Sequence, residues 1–358
     1  MASNHAEELK ELLLTVAKEQ ASDLHLSVGR HPTLRVSRQL IPLSKKPVLT
    51  PEDAQGLVFA MLSEEDRARL LKEKELDFSY SLEDKVRFRV NAFVERGFLS
   101  AAFRLVPVDI KSLKELNLPE ILRDFTRKEQ GFFLVAGPTG HGKTTTLASM
   151  IDIINKERAA HILTIEDPIE YLFTPDQSLV DQREVGSDTL DFSKALRSMF
   201  RQDVNVAMIG EMRDPETMAA AVTAAETGHL IFSSLHTNNA AQTIDRIIDS
   251  FPSSQQNQIR SQLASTLLGI FSQRLIPRVS GGLVPAYELL ISTAAVRNLI
   301  RENKIHEIDL VIETSAELGM VSLNQSLVGL VRQGEVNFEN ALAFSLNPKE
   351  LETLMGRR

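Results

Sequence analysis

Gly137, Gly142, Lys143 and Thr144 stand at the spacing G-x-x-x-x-G-K-[ST], a pattern whose glycines let backbone N–H groups curl around a string of phosphates. The surroundings agree with that chemistry. An apolar run at 132–136 stops at Gly137, and Leu147, Met150, Ile151 and Ile154 then recur on one helical face. Strand, small-residue loop and helix in this order put the loop at a helix N-terminus, whose partial positive charge adds to the pull on an anion. The ammonium of Lys143 is expected to reach the β- and γ-phosphates of a nucleoside triphosphate, and the Thr144 hydroxyl to hold Mg2+. Gly137, Pro138, Thr139, Gly140, His141, Gly142, Lys143, Thr144 and the adjoining Thr145 are the candidate nucleotide contacts. His141 fills a variable position of the pattern and is expected to offer its backbone N–H and little else.

Splitting off a terminal phosphate asks for more than binding. It needs a held metal ion, a group to orient water, and positive charge on the transferring oxygens. Short apolar runs at 132–136, 162–165, 204–209 and 230–233 alternate with helical patterns, as in a parallel sheet covered on both faces. Such sheets bind ligands beyond the carboxyl ends of their strands, so the residues that end these runs are the next candidates. The second run ends in Glu166-Asp167, the third in Gly210-Glu211, and the fourth is bracketed by His229 and His236. Glu211 is the first choice to orient water, and Glu166 to order the metal's water shell or share in water activation. Either histidine could report the γ-phosphate through a hydrogen bond that hydrolysis breaks. Taken singly, each carboxylate also reads as a helix cap or salt-bridge partner, and each histidine as a core or capping residue. Three such strand ends around one phosphate loop favour the chemistry.

The elements that would carry these residues divide the chain. A length of 358 residues suggests two domains. Asn4 with Glu7 resembles a capping box, and Leu9, Leu12, Leu13 and Val16 follow at helical spacing. Leu24, Leu26 and Val28 alternate as in a half-buried strand, with His25 expected on its solvated side. Residues 33–43 read as more strand, and Pro51 opens a helical stretch reaching Lys74. Val86, Phe88 and Val90 alternate with Arg87 and Arg89, and Leu99, Ala101, Phe103 and Leu105 share a face opposite Ala102 and Arg104. Arginines on the polar face of such a sheet are ordinarily just solvated, unless that face looks at phosphates. Residues 1–106 therefore form a small α+β domain. A segment at 107–118 with Pro107 near its start and few bulky residues reads as a flexible linker, and 119–358 as the phosphate-loop domain.

Composition narrows the classes. The chain is 43% hydrophobic and 25% charged, with no apolar run of bilayer-spanning length. Its polar, acidic opening is unlike a signal peptide. No cysteine is present, so disulfides, thiolate metal sites and thiol nucleophiles are excluded. Forty basic residues against forty-eight acidic ones, a net charge of −8, argue against a protein built chiefly to grip nucleic acid.

The segments GPTGHGKTTT, ILTIEDPIEY, QREVG, MIGEMRD and AAETGHLIFSSLHTNNAAQTIDRIIDSFP together resemble the secretion-ATPase superfamily of type II secretion and type IV pilus systems. The similarity runs from ASDLHL through VRFRVNAF to AAVRNLIRENK at 294–304 and the LGM at 318–320. It implies an α/β protein whose C-terminal RecA-like P-loop NTPase domain follows a smaller N-terminal α+β domain of PAS-like form. It also implies a hexameric ring of ATPases, with ATP and Mg2+, at the cytoplasmic face of the inner membrane against a pilus platform protein. In that family Glu211 matches the catalytic carboxylate of an atypical Walker B strand, 162–170 an aspartate box and 229–236 a histidine box. Arg89 and Arg104 match arginines that reach the nucleotide from the N-terminal domain.

Departures are Asn205, where the family has a second aspartate, His141, where its loop has serine, and Ser233-Ser234. Extension ATPases of the family carry a four-cysteine zinc site, so a cysteine-free chain fits the retraction branch and no zinc is expected. The AAVRNLIRENK stretch is similar to a motif of that branch, in which an accessory ATPase is the alternative. Two other classes compete: a DNA motor, which should show a basic channel, and a nucleotide-gated assembly protein with little turnover.

Overall fold

The computed structural model describes residues 2–36, 39–82 and 86–356, and these fall into two compact units, 1–108 with 170–172 and 109–169 with 173–358. Among the described residues no helix is long and apolar enough to cross a membrane.

The first unit is a six-stranded antiparallel sheet under helices. Helix α1 (Ala2–Lys18) is followed by β1 (Asp23–Leu26), β2 (Thr33–Val36), β3 (Gln39–Pro42), α2 (Pro51–Phe59), α3 (Glu64–Glu73), β4 (Glu75–Leu82), β5 (Val86–Glu95) and β6 (Phe98–Val106). The strands lie in the order β3-β2-β1-β6-β5-β4. Leu9, Leu12, Leu13 and Val16 of α1 and Leu57 and Val58 of α2 bury one sheet face, meeting Leu24, Leu26, Phe88, Val90 and Phe103. Period-two alternation then turns Asp23, Arg35, Arg89 and Arg104 to the other face.

Three expectations change in this unit. Helix α1 starts at Ala2, so Asn4 stands inside it and not at its cap; no breaker precedes Asn4 to stop the helix winding earlier. The stretch after Pro51 is two helices, because Ser63 accepts from the Asp66 N–H and starts α3 afresh. His25 is not a solvated surface residue. Its Nε2 is buried without a hydrogen-bond partner among the described residues, and burial pushes its pKa down, with Asp23 pulling the other way.

The expected linker is partly packed. The Ser112 hydroxyl and Glu115 carboxylate cap a short turn, and Leu113 and Leu118 are buried.

The second unit is built on a seven-stranded sheet. After α4 (Leu122–Thr126) come β7 (Gly131–Ala136), α5 (Lys143–Glu157), β8 (His161–Glu166), β9 (Leu179–Glu184), α6 (Phe192–Met199), β10 (Val206–Ile209), α7 (Pro215–Glu226), β11 (Leu230–Leu235), α8 (Ala240–Asp249), α9 (Ser253–Thr266), β12 (Leu267–Pro277) and β13 (Leu283–Ile291). Helices α10 (Ala294–Arg301), α11 (Ile308–Thr314), α12 (Leu323–Arg332), α13 (Phe338–Phe344) and α14 (Pro348–Leu354) complete it. The strand order is β13-β12-β7-β11-β10-β8-β9, all neighbours parallel except β12 with β13. Every residue of β7, β10 and β11 is buried, which is why these strands read as continuous apolar runs.

Strands β9, β12 and β13 are not anticipated by the sequence pattern. β9 is a polar edge strand, and β12 follows α9 with no turn residue between Thr266 and Leu267. Helices α12 to α14 pack on Ile276, Val284 and Ala286 of the β12–β13 hairpin.

Candidate active site

The phosphate loop begins where β7 ends. Gly137 has φ +146°, and a Cβ there would lie 2.4 Å from the Gln273 carbonyl oxygen, so no other residue fits. Gly142 adopts φ +80° as the N-cap of α5 and offers no side chain to that helix end. The first N–H groups of a 15-residue helix are thereby left facing the loop. Lys143 is buried, and its Nζ donates to the carbonyls of Gly137 at 2.9 Å and Pro138 at 3.0 Å. Thr144 and Thr145 are half-exposed in the first turn of α5.

Parallel register brings the tips of β8, β10 and β11 to the same edge as this loop: Ala136 lies beside Leu235, and Ile209 between Ser233 and Ile165. The His236 ring then joins three expected site residues. Its Nδ1 lies 3.3 Å from Lys143 Nζ and 3.2 Å from Thr139 Oγ1, and its Nε2 lies 3.2 Å from Glu211 Oε2. An ammonium can only donate, so Nδ1 carries the lone pair and Nε2–H donates to the carboxylate. Glu211 is also ion-paired with Arg213. Glu166 is buried at the β8 tip, where it accepts from Thr164 Oγ1 at 2.7 Å and Gln182 Nε2 at 3.4 Å. Ser233 and Ser234 hold the tips together, their hydroxyls donating to the carbonyls of Ile209 and Gly210.

His229 is the expectation the structure overturns. It precedes β11 and so lies at the opposite edge of the sheet, roughly 20 Å along the strand from the tip residues. There its Nδ1 bonds the Ala224 carbonyl at 3.0 Å and its ring meets Phe200 edge-on, so within this chain it finishes helix α7. A bracket in sequence is not a bracket in space, because a strand separates its two ends. Asn205 lies at that same far edge, accepting from the His161 N–H at 2.7 Å. The missing aspartate there has no bearing on the phosphate edge.

His141 also differs from expectation, since its side chain is engaged: Nδ1 accepts from the Leu275 N–H at 2.9 Å. Arg104 and Arg89 stand opposite each other on β6 and β5 of the first unit. Arg104 Nε donates to Asp23 at 3.0 Å, and Arg89 pairs with Glu170, which clusters with that unit, at 3.3 Å.

Several residues were not anticipated. Gln273 is buried, donates to the His141 carbonyl and accepts from Thr146 Oγ1; its one sequence signal is a polar S-Q-R interruption in an apolar run. Thr164, Gln182 and Arg213 support the two glutamates.

Glu288 of β13 is buried, accepts from the Ala240 N–H at 2.7 Å, and so anchors α8 just after the His236 loop. Burial raises its pKa from 4.5 to about 7; Asp309 adds to the rise, while Ala240 and Arg274 oppose it. The folded chain therefore holds this proton more tightly than the unfolded chain. The resulting stabilisation is complete below the ordinary carboxylate range and is lost as pH rises through about 7. Glu288→Gln, which cannot ionise, is expected to be more stable than wild type at pH 8 by about 1–3 kcal/mol, with the two converging near pH 4.5. Urea unfolding at both pH values checks this, and a difference independent of pH sinks it.

Comparison with known proteins identifies the family. The family model for type II/IV secretion system proteins matches residues 4–282. The type IV pilus retraction ATPase PilT of Pseudomonas aeruginosa is 44% identical over 334 residues, 93% of this chain and 97% of that one. The type IV pilus ATPase PilU of the same organism is 38% identical over 349 residues, covering 97% of this chain and 91% of that one. A crystal structure of the pilus retraction motor PilT with bound ADP superposes with a TM-score of 0.88 at 46% identity, covering 96% of this chain and 98% of that chain. The chain belongs to the type II/IV secretion system protein family, and it is an ATPase.

Proposed function

We propose that this ATPase drives type IV pilus retraction, as one subunit of a hexameric ring at the cytoplasmic face of the inner membrane beneath a platform protein. The observation that carries the reading is the linked run Lys143–His236–Glu211, joined by contacts of 3.3 and 3.2 Å at one sheet edge. It connects the residue suited to hold phosphates with the carboxylate suited to orient water. Hydrolysis that shifts the γ-phosphate would alter both contacts of one imidazole at once. Glu166, buried at the adjacent tip, supports the water and metal shell.

Mg2+ fits the kinds of donor present, since half-exposed Thr144 lies in the first turn of α5 and Glu166 and Glu211 follow strands that end at the same sheet edge. When bound there, it would offset phosphate charge. Gly137, Pro138, Thr139, Gly140, His141, Gly142 and Thr145 supply the cradle. We assign Arg89 and Arg104 to a neighbouring subunit's nucleotide, and the hinge between units to the stretch just before the buried Leu113. Arg104 suits this role because Asp23 holds its Nε while the side chain stays 71% exposed.

Arg104→Ala is expected to lower kcat at least about tenfold while sparing KM for ATP, since charge there counts most in the transition state. Steady-state ATPase assays check it, and an unchanged kcat removes Arg104 from the mechanism. The cellular role is tested by deleting the gene in a strain lacking other retraction ATPases and watching fluorescent pili. Arrested retraction is expected; normal retraction refutes the role even if the chain hydrolyses ATP. The similarity to PilU favours one second reading, an accessory retraction ATPase. That reading expects retraction to weaken only when a principal retraction ATPase is also present.

A further inference from the structure

Strand β12 outlasts its neighbour. Its register with β7 closes at Ser272 beside Ala136, whereas its pairing with β13 continues to Pro277. The flank left beyond Ala136 is occupied by the phosphate loop. There the Leu275 N–H donates to His141 Nδ1 at 2.9 Å, and Gln273 Nε2 donates to the His141 carbonyl at 2.5 Å. On its outer side the His141 ring meets Phe344 of α13 edge-on, with centroids 6.4 Å apart. Phe344 in turn packs against the cluster that joins α12, α13 and α14 to the β12–β13 hairpin.

We propose that His141 is a positioning residue that clasps the phosphate loop to β12 and to α13, making nucleotide affinity depend on the packing of the C-terminal helices. The inference rests on reading the loop as a triphosphate site. Its physical basis is the accepting nitrogen. The Leu275 N–H requires a lone pair on Nδ1, so the ring is neutral with its proton on Nε2. Burial, and then the charges of Arg274 and Lys143, push the His141 pKa below its ordinary value and keep that form at neutral pH.

Serine, which the family resemblance leads one to expect at this position, ends one bond beyond Cβ and cannot reach across. Asparagine places an oxygen near the Nδ1 position, whereas glutamine carries its amide one bond too far. A loop freed from β12 shifts the N–H groups that cradle phosphate. That loss is shared by ground and transition states, so it falls on binding more than on turnover.

The test titrates a fluorescent ADP analogue into the purified full chain, with ATPase kinetics and melting curves measured alongside. His141→Gln is expected to weaken binding about tenfold with kcat within about threefold of wild type, and His141→Asn to recover most of the lost affinity. Phe344→Ala, remote from the phosphates, is expected to weaken binding about threefold. A generic packing defect lowers melting temperature and kcat and does not separate Asn from Gln at position 141. Equal affinities of those two variants, or wild-type affinity in Phe344→Ala, overturn the clasp. Failure of the wild type to bind the analogue overturns the reading of the loop itself and the clasp with it, so the two failures are distinguishable.

Discussion

Glu211→Gln is expected to bind ATP as tightly as wild type within a few-fold and to hydrolyse it about 10²–10³-fold more slowly. The amide keeps an oxygen that can accept from His236 Nε2–H, now 3.2 Å from the carboxylate, so the shape of the site survives the change. What disappears is the negative charge that the proposed mechanism uses to orient the attacking water and take up its proton. Arg213, paired with Glu211 in the wild type, loses its counter-charge as well, but on an exposed side chain where water compensates most of the loss. Equal, slow hydrolysis by wild type and variant, measured by phosphate release in single turnover, sinks the motor and leaves a nucleotide-gated protein in its place.

Lys143→Ala is expected to abolish measurable ATP binding, a rise in Kd of at least about 100-fold. The ammonium is buried, and it contacts the carbonyls of Gly137 and Pro138 and the His236 ring. In the proposed role it would meet the phosphates already desolvated and held in the loop, which makes its charge worth more than that of a surface lysine. Alanine removes the charge and leaves two loop carbonyls without this donor, so loop shape and electrostatics fail together. Titration with a fluorescent nucleotide decides the matter; a Kd within about threefold of wild type would mean that backbone N–H groups and the helix terminus suffice. Read together, the two variants separate binding from turnover.

Much of the architecture was legible because its signals are local. The phosphate loop announces itself through fixed spacing, and β7, β8, β10 and β11 through apolar runs that only a sheet buried on both faces requires. In the first unit β1, β5 and β6 follow from alternation and α1 and α2 from periodicity, whereas β4 and the fresh start of α3 do not. In the second unit β9, β12 and β13 escaped, two of them because they are polar or continuous with a neighbour. β9 carries Asp181, Gln182 and Arg183 in an edge strand, and β12 emerges from α9 without punctuation.

The candidates Glu166, Glu211 and His236 gather at the edge where the loop of Lys143 lies because parallel strands deliver their carboxyl ends to one edge. His229 was misjudged for the same reason, since sequence proximity to a strand does not say which end of it matters.

The sequence alone carried the phosphate-loop pattern at 137–144, carboxylates and an imidazole after neighbouring apolar runs, and an arginine-bearing stretch ahead of them. Those statements depend on the order of residues along one backbone. The tertiary structure decided which histidine bridges Lys143 to Glu211, that Asn205 and His229 lie at the far edge, and that His141 is held by β12 and faces Phe344. Each of those depends on strand register or on a contact between segments more than a hundred residues apart, such as His141 with Leu275. The physical reason is that local propensity and pattern select elements, whereas partners across a sheet are selected by the packing of all the elements at once.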